Sequence, residues 1–96
     1  MAKLNWTDQS IDDLINIAEF IEKNSEKYAV IQTKRIRERA KILRDQPLVG
    51  RIVPEFRDKS IRELIPGSYR IIYKIISKDR IDILTIHHSS KSFKLE

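Results

Sequence analysis

The stretch IRELIPGSYRIIYKIISKDRIDILTIHH, residues 61 to 88, decides the fold. β-branched and aromatic residues dominate it, apolar and polar positions alternate through much of it, and Pro66-Gly67 and Lys78-Asp79 interrupt it. The pattern predicts three antiparallel strands, Ile61 to Ile65, Tyr69 to Ser77 and Arg80 to His88, joined by a type II turn at Pro66-Gly67 and a tight loop at Lys78-Asp79. Just upstream, Arg51 to Pro54 predicts a short strand, with Pro54 marking a sheet edge or the strand's end.

Before Leu48 the period changes from 2 to 3.6. Behind Thr7, an expected N-cap, Ile11, Leu14, Ile17, Ala18 and Ile21 recur at three- and four-residue steps, with acidic residues between them. Asn24-Ser25 breaks this helix and caps a second, whose face is marked by Ala29, Thr33, Ile36, Ala40 and Leu43 until Gln46-Pro47 stops it. Two helices followed by a meander give an α+β class, with an antiparallel helical hairpin covering one face of the sheet.

The 96 residues suit a single domain, 1–96, with no internal repeat or linker. Cysteine is absent, which excludes disulfide frameworks, thiolate catalysis and Cys-ligated zinc. The chain shows no apolar run of the roughly 18 residues that a membrane span requires, so a cytoplasmic protein with no membrane partner is expected. The net charge of +5 is unevenly spread: residues 1–26 hold two basic and six acidic side chains, and the basic excess lies wholly in the remainder. A basic remainder attracts polyanions or acidic protein segments. On the second helix Lys34, Arg35, Arg37, Lys41 and Arg44 form a stripe that is either a solvated face or a docking surface for an acidic or amphipathic segment.

Short hairpin turns permit the pairing to be counted. Centring the first hairpin on Pro66-Gly67 sets Glu63 opposite Arg70, and centring the second on Lys78-Asp79 sets Arg70 opposite His87 and Tyr69 opposite His88. Glu63, Arg70 and His87 then make a transverse row on one face. A carboxylate, a guanidinium and an imidazole within reach of one another could serve phosphodiester chemistry. The plainer reading is a cross-strand ion pair with a histidine at its end. Adjacent histidines point to opposite sheet faces, so no metal site is expected. Trp6, Phe20, Tyr28 and Phe56 read as core or core-edge aromatics, and Ser89, Ser90 and Ser92 offer no catalytic triad.

The order of these elements, with Pro47-Leu48-Val49-Gly50-Arg51, Val53-Pro54-Glu55-Phe56, Ile61-Arg62-Glu63-Leu64, Tyr69-Arg70-Ile71-Ile72-Tyr73 and Ile83-Leu84-Thr85-Ile86-His87-His88, resembles the RelE/ParE superfamily of type II toxins across nearly the whole chain. The resemblance implies an N-terminal strand before the helical hairpin, no cofactor, and a cognate antitoxin whose C-terminal segment wraps and silences the toxin. It leaves two activities open: RelE-like cleavage of messenger RNA on the ribosome, or ParE-like poisoning of DNA gyrase. For the nuclease it implies Arg70 as the phosphate-binding residue, with His88 or His87 and Glu63 or Glu55 as the acid/base pair. Arg70→Ala would then abolish cleavage with little loss of folding. Arg57, Lys59, Arg62 and Lys91 are the residues expected to meet the target or nucleic acid. Phe93 falls near the position of a terminal tyrosine in the nucleases and cannot exchange a proton, which favours the ParE-like branch. A chain that binds an antitoxin without being toxic is the remaining alternative.

Overall fold

The computed structural model describes residues 1–89. Its elements run β1 (Lys3–Trp6), α1 (Asp8–Glu22), α2 (Glu26–Lys41), a 3₁₀ turn (Ile42–Arg44), β2 (Arg51–Ile52), β3 (Ile61–Leu64), β4 (Tyr69–Ser77) and β5 (Arg80–His88). The sheet order is β1-β5-β4-β3-β2. β2 to β5 form the expected antiparallel meander, and β1 adds to its far edge parallel to β5. Among the described residues, no helix is long and apolar enough to cross a membrane.

Both helix starts follow from their caps. The Thr7 hydroxyl accepts the Ser10 N–H at 3.2 Å and donates to the Ile83 carbonyl at 2.6 Å, so one residue begins α1 and ties it to β5. Ser25 accepts the Tyr28 N–H at 3.0 Å and starts α2 after a break of only a few residues. α2 ends at Lys41, short of the predicted stop at Gln46-Pro47, because the chain tightens into the 3₁₀ turn that buries Leu43. β2 likewise stops at Ile52 and does not reach Pro54.

The apolar stripes of the helices meet the sheet in the main core, built on Ile36, Ala40, Leu43, Leu64, Ile71, Tyr73, Ile81, Ile83 and Ile86. Trp6, Leu14 and Ile17 pack at its margin. The opposite sheet face carries a smaller core of Val53, Ile61 and Ile72, closed by Phe56 and Leu84. Trp6 and Phe56 thus take the core-edge positions expected of them. Phe20 and Tyr28 do not: they are 68% and 51% exposed.

Register departs from expectation in one hairpin and agrees in the other. Tyr69 pairs with His88 and Arg70 with His87, as counted. Glu63, however, pairs with Ile72 and Leu64 with Ile71, a two-residue offset from the predicted Glu63–Arg70 pair. The cause is the turn. The Tyr69 N–H bonds the Pro66 carbonyl, which leaves Gly67 and Ser68 between the bonded residues, and Gly67 has φ of 65°. The turn therefore centres on Gly67-Ser68, with its positive φ at the first central position, and not on Pro66-Gly67. An even offset preserves side-chain parity, so Glu63 and Arg70 still share a face as diagonal neighbours. In β5 a bulge makes Leu84 the extra residue between the Ile72–Thr85 and Tyr73–Ile83 pairs. Asp13 of α1 accepts the Thr85 hydroxyl and the Ile86 N–H there, fastening helix to bulge.

Tyr73, fully buried in the main core, donates its hydroxyl to the Pro47 carbonyl at 2.7 Å and accepts the Gly50 N–H at 3.0 Å, which anchors the connection into β2. A Cβ on Gly50 would lie 2.6 Å from both the Glu63 carbonyl oxygen and the Tyr73 hydroxyl, so glycine is needed for close approach. Gly50→Ala should destabilise the fold by about 1–3 kcal/mol through overpacking. Tyr73→Phe should cost about 1–3 kcal/mol, because the Gly50 N–H and the Pro47 carbonyl lose their partner; urea unfolding measures both. Burial raises the Tyr73 phenol above its ordinary value of 10.0 and does the same to Tyr69. The fold favours the neutral phenols, so their contribution is complete below about pH 10 and fades as pH climbs through the folded values. Unfolding free energy should fall over that alkaline range.

Candidate functional site

On the face away from the helices lies a chain of alternating charges. Arg70, on β4 and 6% exposed, makes four hydrogen bonds to two carboxylates. Its Nε–H reaches Glu63 Oε1 at 2.6 Å and an Nη2–H reaches Glu63 Oε2 at 3.1 Å. At the far end of the guanidinium, Nη1 and Nη2 donate to the two oxygens of Glu55 at 3.0 and 3.1 Å, a two-point fork. Glu63, whose side chain is fully buried, also accepts Arg51 Nε–H at 3.1 Å, and Arg51 itself is largely exposed. Hydrogen bonds to Glu55 and then Glu63 raise the guanidinium's pKa further, against the lowering effect of burial, so Arg70 stays charged.

Local sequence explains who meets whom. Parity places Arg51, Glu63 and Arg70 on one face of three neighbouring strands, because Arg51 pairs with Glu63 across β2–β3. Glu55 arrives from the loop between β2 and β3, which is held over the sheet by Val53 and Phe56 in the smaller core. Counting from the turns found Glu63 near Arg70. The roles of Glu55 and Arg51 as its companions in one network depend on how that loop folds back, which no periodicity signals.

The remaining predicted residues scatter. His87 is the cross-strand partner of Arg70. His88 lies on the helix side, its ring edge-on to Tyr69 with centroids 5.4 Å apart. It therefore shares a face with the helices and not with Arg70. Those two histidines, with Asp13, Ile17, Phe20 and Tyr69, border an open cleft of about 300 Å³ at the α1 side of the sheet. Sequence reasoning missed it because Phe20 belongs to a helix whose apolar stripe was assigned to the core. Arg62 is engaged as a staple: its Nε–H donates to the Lys59 carbonyl at 3.1 Å and an Nη1–H to the Gly50 carbonyl at 3.0 Å. Arg57 and Lys59 are exposed on the loop between β2 and β3, Arg57 with a φ of 53° that non-glycine residues rarely adopt. Beside them Asp58 accepts the Ser60 hydroxyl and N–H, bonds that hold its carboxyl below the usual range. Lys91 and Phe93 lie outside the described residues.

As arranged, Arg70 forms a structural crosspiece, with its charge met by two carboxylates. The geometry argues against the expectation that Arg70→Ala would spare folding, since the substitution would leave the buried Glu63 with only the exposed Arg51 of its two arginine partners.

A family model described as the ParE toxin of the type II toxin-antitoxin system, parDE, matches residues 4–93. Among solved structures, a chain from the chromosomal ParDE TA system of P. aeruginosa shares the fold with a TM-score of 0.76 and 23% identity, covering 92% of this chain and 96% of that one. No curated protein is a significant match.

Arg70→Ala should destabilise the protein by about 3–5 kcal/mol, the usual cost of breaking a buried ion pair, since the buried Glu63 would keep only the exposed Arg51 of its two arginine partners. Joint replacement with Arg70→Met and Glu63→Leu should recover much of that loss, since an apolar pair of similar size leaves no fully buried charge, Arg51 and Glu55 both reaching solvent. Chemical denaturation of the two variants compares them directly.

Proposed function

The chain belongs to the ParE toxin family of type II toxin-antitoxin systems, and on that premise we propose that it arrests growth by poisoning DNA gyrase and that a cognate antitoxin neutralises it. The observation that carries the choice of target is the engagement of Arg70. A nuclease of the RelE kind would present this guanidinium to a phosphate, yet here four hydrogen bonds commit it to Glu55 and Glu63. The division of the sheet adds support. His88 stands with Tyr69 on the helix side, so the arginine and this histidine do not converge on one scissile bond.

A poison that works by binding needs surface and not a proton-transfer pair. The exposed Arg57 and Lys59, on the rim of the loop that covers the smaller core, are the described residues best placed to contact the target. Lys91 belongs to the same proposal through the resemblance alone. Arg62, bound to backbone carbonyls, supports this rim from beneath.

The test pairs two assays with the purified protein. Cleaved DNA should accumulate in a gyrase supercoiling reaction, while message in a translating ribosome extract stays intact. Reversing both rim charges, Arg57→Glu with Lys59→Glu, should weaken gyrase poisoning without altering the melting temperature. Cut message with unaffected gyrase would instead establish the ribosome-dependent endonuclease, and growth unaffected by expression would remove the toxin reading.

A further inference from the structure

α1 and α2 carry opposite charge, yet neither helix answers the other within the chain. α1 holds five acidic residues and no basic one, α2 six basic and two acidic. Among the described residues no ion pair joins the two helices. The reason is direction. Asp8, Asp12, Ile15, Glu19 and Glu22 recur at i, i+4, i+7, i+11 and i+14, one line along α1 on the side away from Leu14 and Ile17, which face the core. Lys27, Val30, Lys34, Arg37 and Lys41 make a matching line on α2, away from Ile36 and Ala40. All ten side chains are exposed. Each line is about 21 Å long at the helical rise, and both face solvent from the outer side of the hairpin. Each also has an aliphatic residue set among its charges, Ile15 at 49% and Val30 at 65% exposed.

Opposite lines of equal length on one face complement a second copy of the same face. A two-fold axis along the hairpin lays α1 of each copy on α2 of the other, so every contact is made twice. Counted from the hairpin turn at Asn24, Asp8 then stands level with the second copy's Lys41, Asp12 with its Arg37 and Glu22 with its Lys27, each to within one residue. Ile15 and Val30 fall opposite the alkyl stems of Lys34 and Glu19. With the axis across the helices instead, α1 would lie on α1 and α2 on α2. That sets the acidic line against itself and the basic line against itself, a repulsion that selects the first arrangement. Lys41 is paired in the single chain with Glu38 at 3.2 Å, an exposed pair that exchanges partners at little cost. On the remaining flank of α2, Arg35 and Arg39 border a trough beside the β3–β4 turn, where two copies would set arginine against arginine.

We propose that the outer face of the helical hairpin is a contact between two copies of this chain, the acidic line of α1 against the basic line of α2. Two helix widths by 21 Å is about 400 Å² from each copy, which places the dimer in the weak and transient class, populated at high micromolar chain concentration. The shallow groove between the helices, walled by Ala18, Ala29 and Val30, lets the second hairpin approach closely. The loop carrying Arg57 and Lys59 covers the smaller core on the opposite face of the sheet, so the contact leaves that rim open in both copies.

Sedimentation velocity of the full chain over about 10–500 µM reads the contact directly. The weight-average coefficient should climb from monomer toward dimer with concentration, and the climb should shrink as salt is added. Two variants each reverse two of the three level pairs: Asp12→Lys with Glu22→Lys, and Lys27→Glu with Arg37→Glu. Either variant alone should associate roughly tenfold more weakly or worse, because two attractions become two repulsions on each side of the axis. Mixed in equal amounts, the two should associate as tightly as the parent, since each pair is rebuilt in the reversed sense. Phe20→Ser, on the other side of α1, should change nothing. All these positions are exposed, and matching thermal melts establish that the variants fold. A monomer at every concentration, or a mixture no tighter than its parts, overturns the proposal. Tighter association of the Asp12/Glu22 variant by itself also overturns it, because α1 would then lie on α1. So does a dimer that Phe20→Ser removes or that salt strengthens, either of which places the contact elsewhere.

Discussion

Glu63 is a carboxylate withdrawn entirely from water, and much of the sheet's far edge is arranged around keeping it paired. An unpartnered charge in that position would cost several kcal/mol, so its two oxygens are met by Arg70 and Arg51. That requirement joins β2, β3 and β4 in a single cross-strand row. It matters most for β2, which is two residues long and has little ladder of its own to hold it. Glu55 extends the row by gripping the outer end of Arg70, and in doing so draws the loop between β2 and β3 over the smaller core. The Tyr73 hydroxyl performs a similar task from the opposite face, where it holds the segment from Pro47 to Gly50.

The two faces of the sheet consequently differ in kind. Toward the helices, stability comes from burial of branched aliphatics at roughly 25 cal/mol per Å² of apolar surface, with Thr7 and Asp13 registering α1 on β5 through hydrogen bonds. Away from them, a few apolar side chains share the surface with an ion network that fixes geometry more than it adds net stability. A residue that sequence alone makes look available for chemistry is thereby absorbed into architecture. What stays open to solvent is the periphery: the loop carrying Arg57 and Lys59, and the outer side of α2.

Legibility followed the range of the interactions involved. Thr7 and Ser25 were readable as caps because each acts on an N–H three residues away. Strands Tyr69–Ser77 and Arg80–His88 were readable to the residue, since alternation and a tight turn are local. The first hairpin is not readable in the same way because proline and glycine adjoin, and only the backbone hydrogen bond from Tyr69 to Pro66 shows that Gly67 is the first central residue of the turn and not the second. Asp13 looked like one more acid on a solvated helix start, although it serves a bulge 72 residues away. Phe20, expected in the core or at its edge, instead stands largely exposed beside the cleft that Tyr69 and the two histidines border.

By itself the sequence determined the class, the two helices and their starts, the meander, and the sharing of one face by Glu63 and Arg70, because periods of 3.6 and 2 and an even register error all preserve which side a residue occupies. Only the tertiary structure decided what those residues do. Whether Arg70 is presented to solvent or locked between carboxylates depends on a loop returning from outside the strands. Whether the cations of α2 are merely solvated or border a trough depends on how far the β3–β4 turn projects past the helix. Both are set by distances between segments remote in the chain, for which local patterning carries no information.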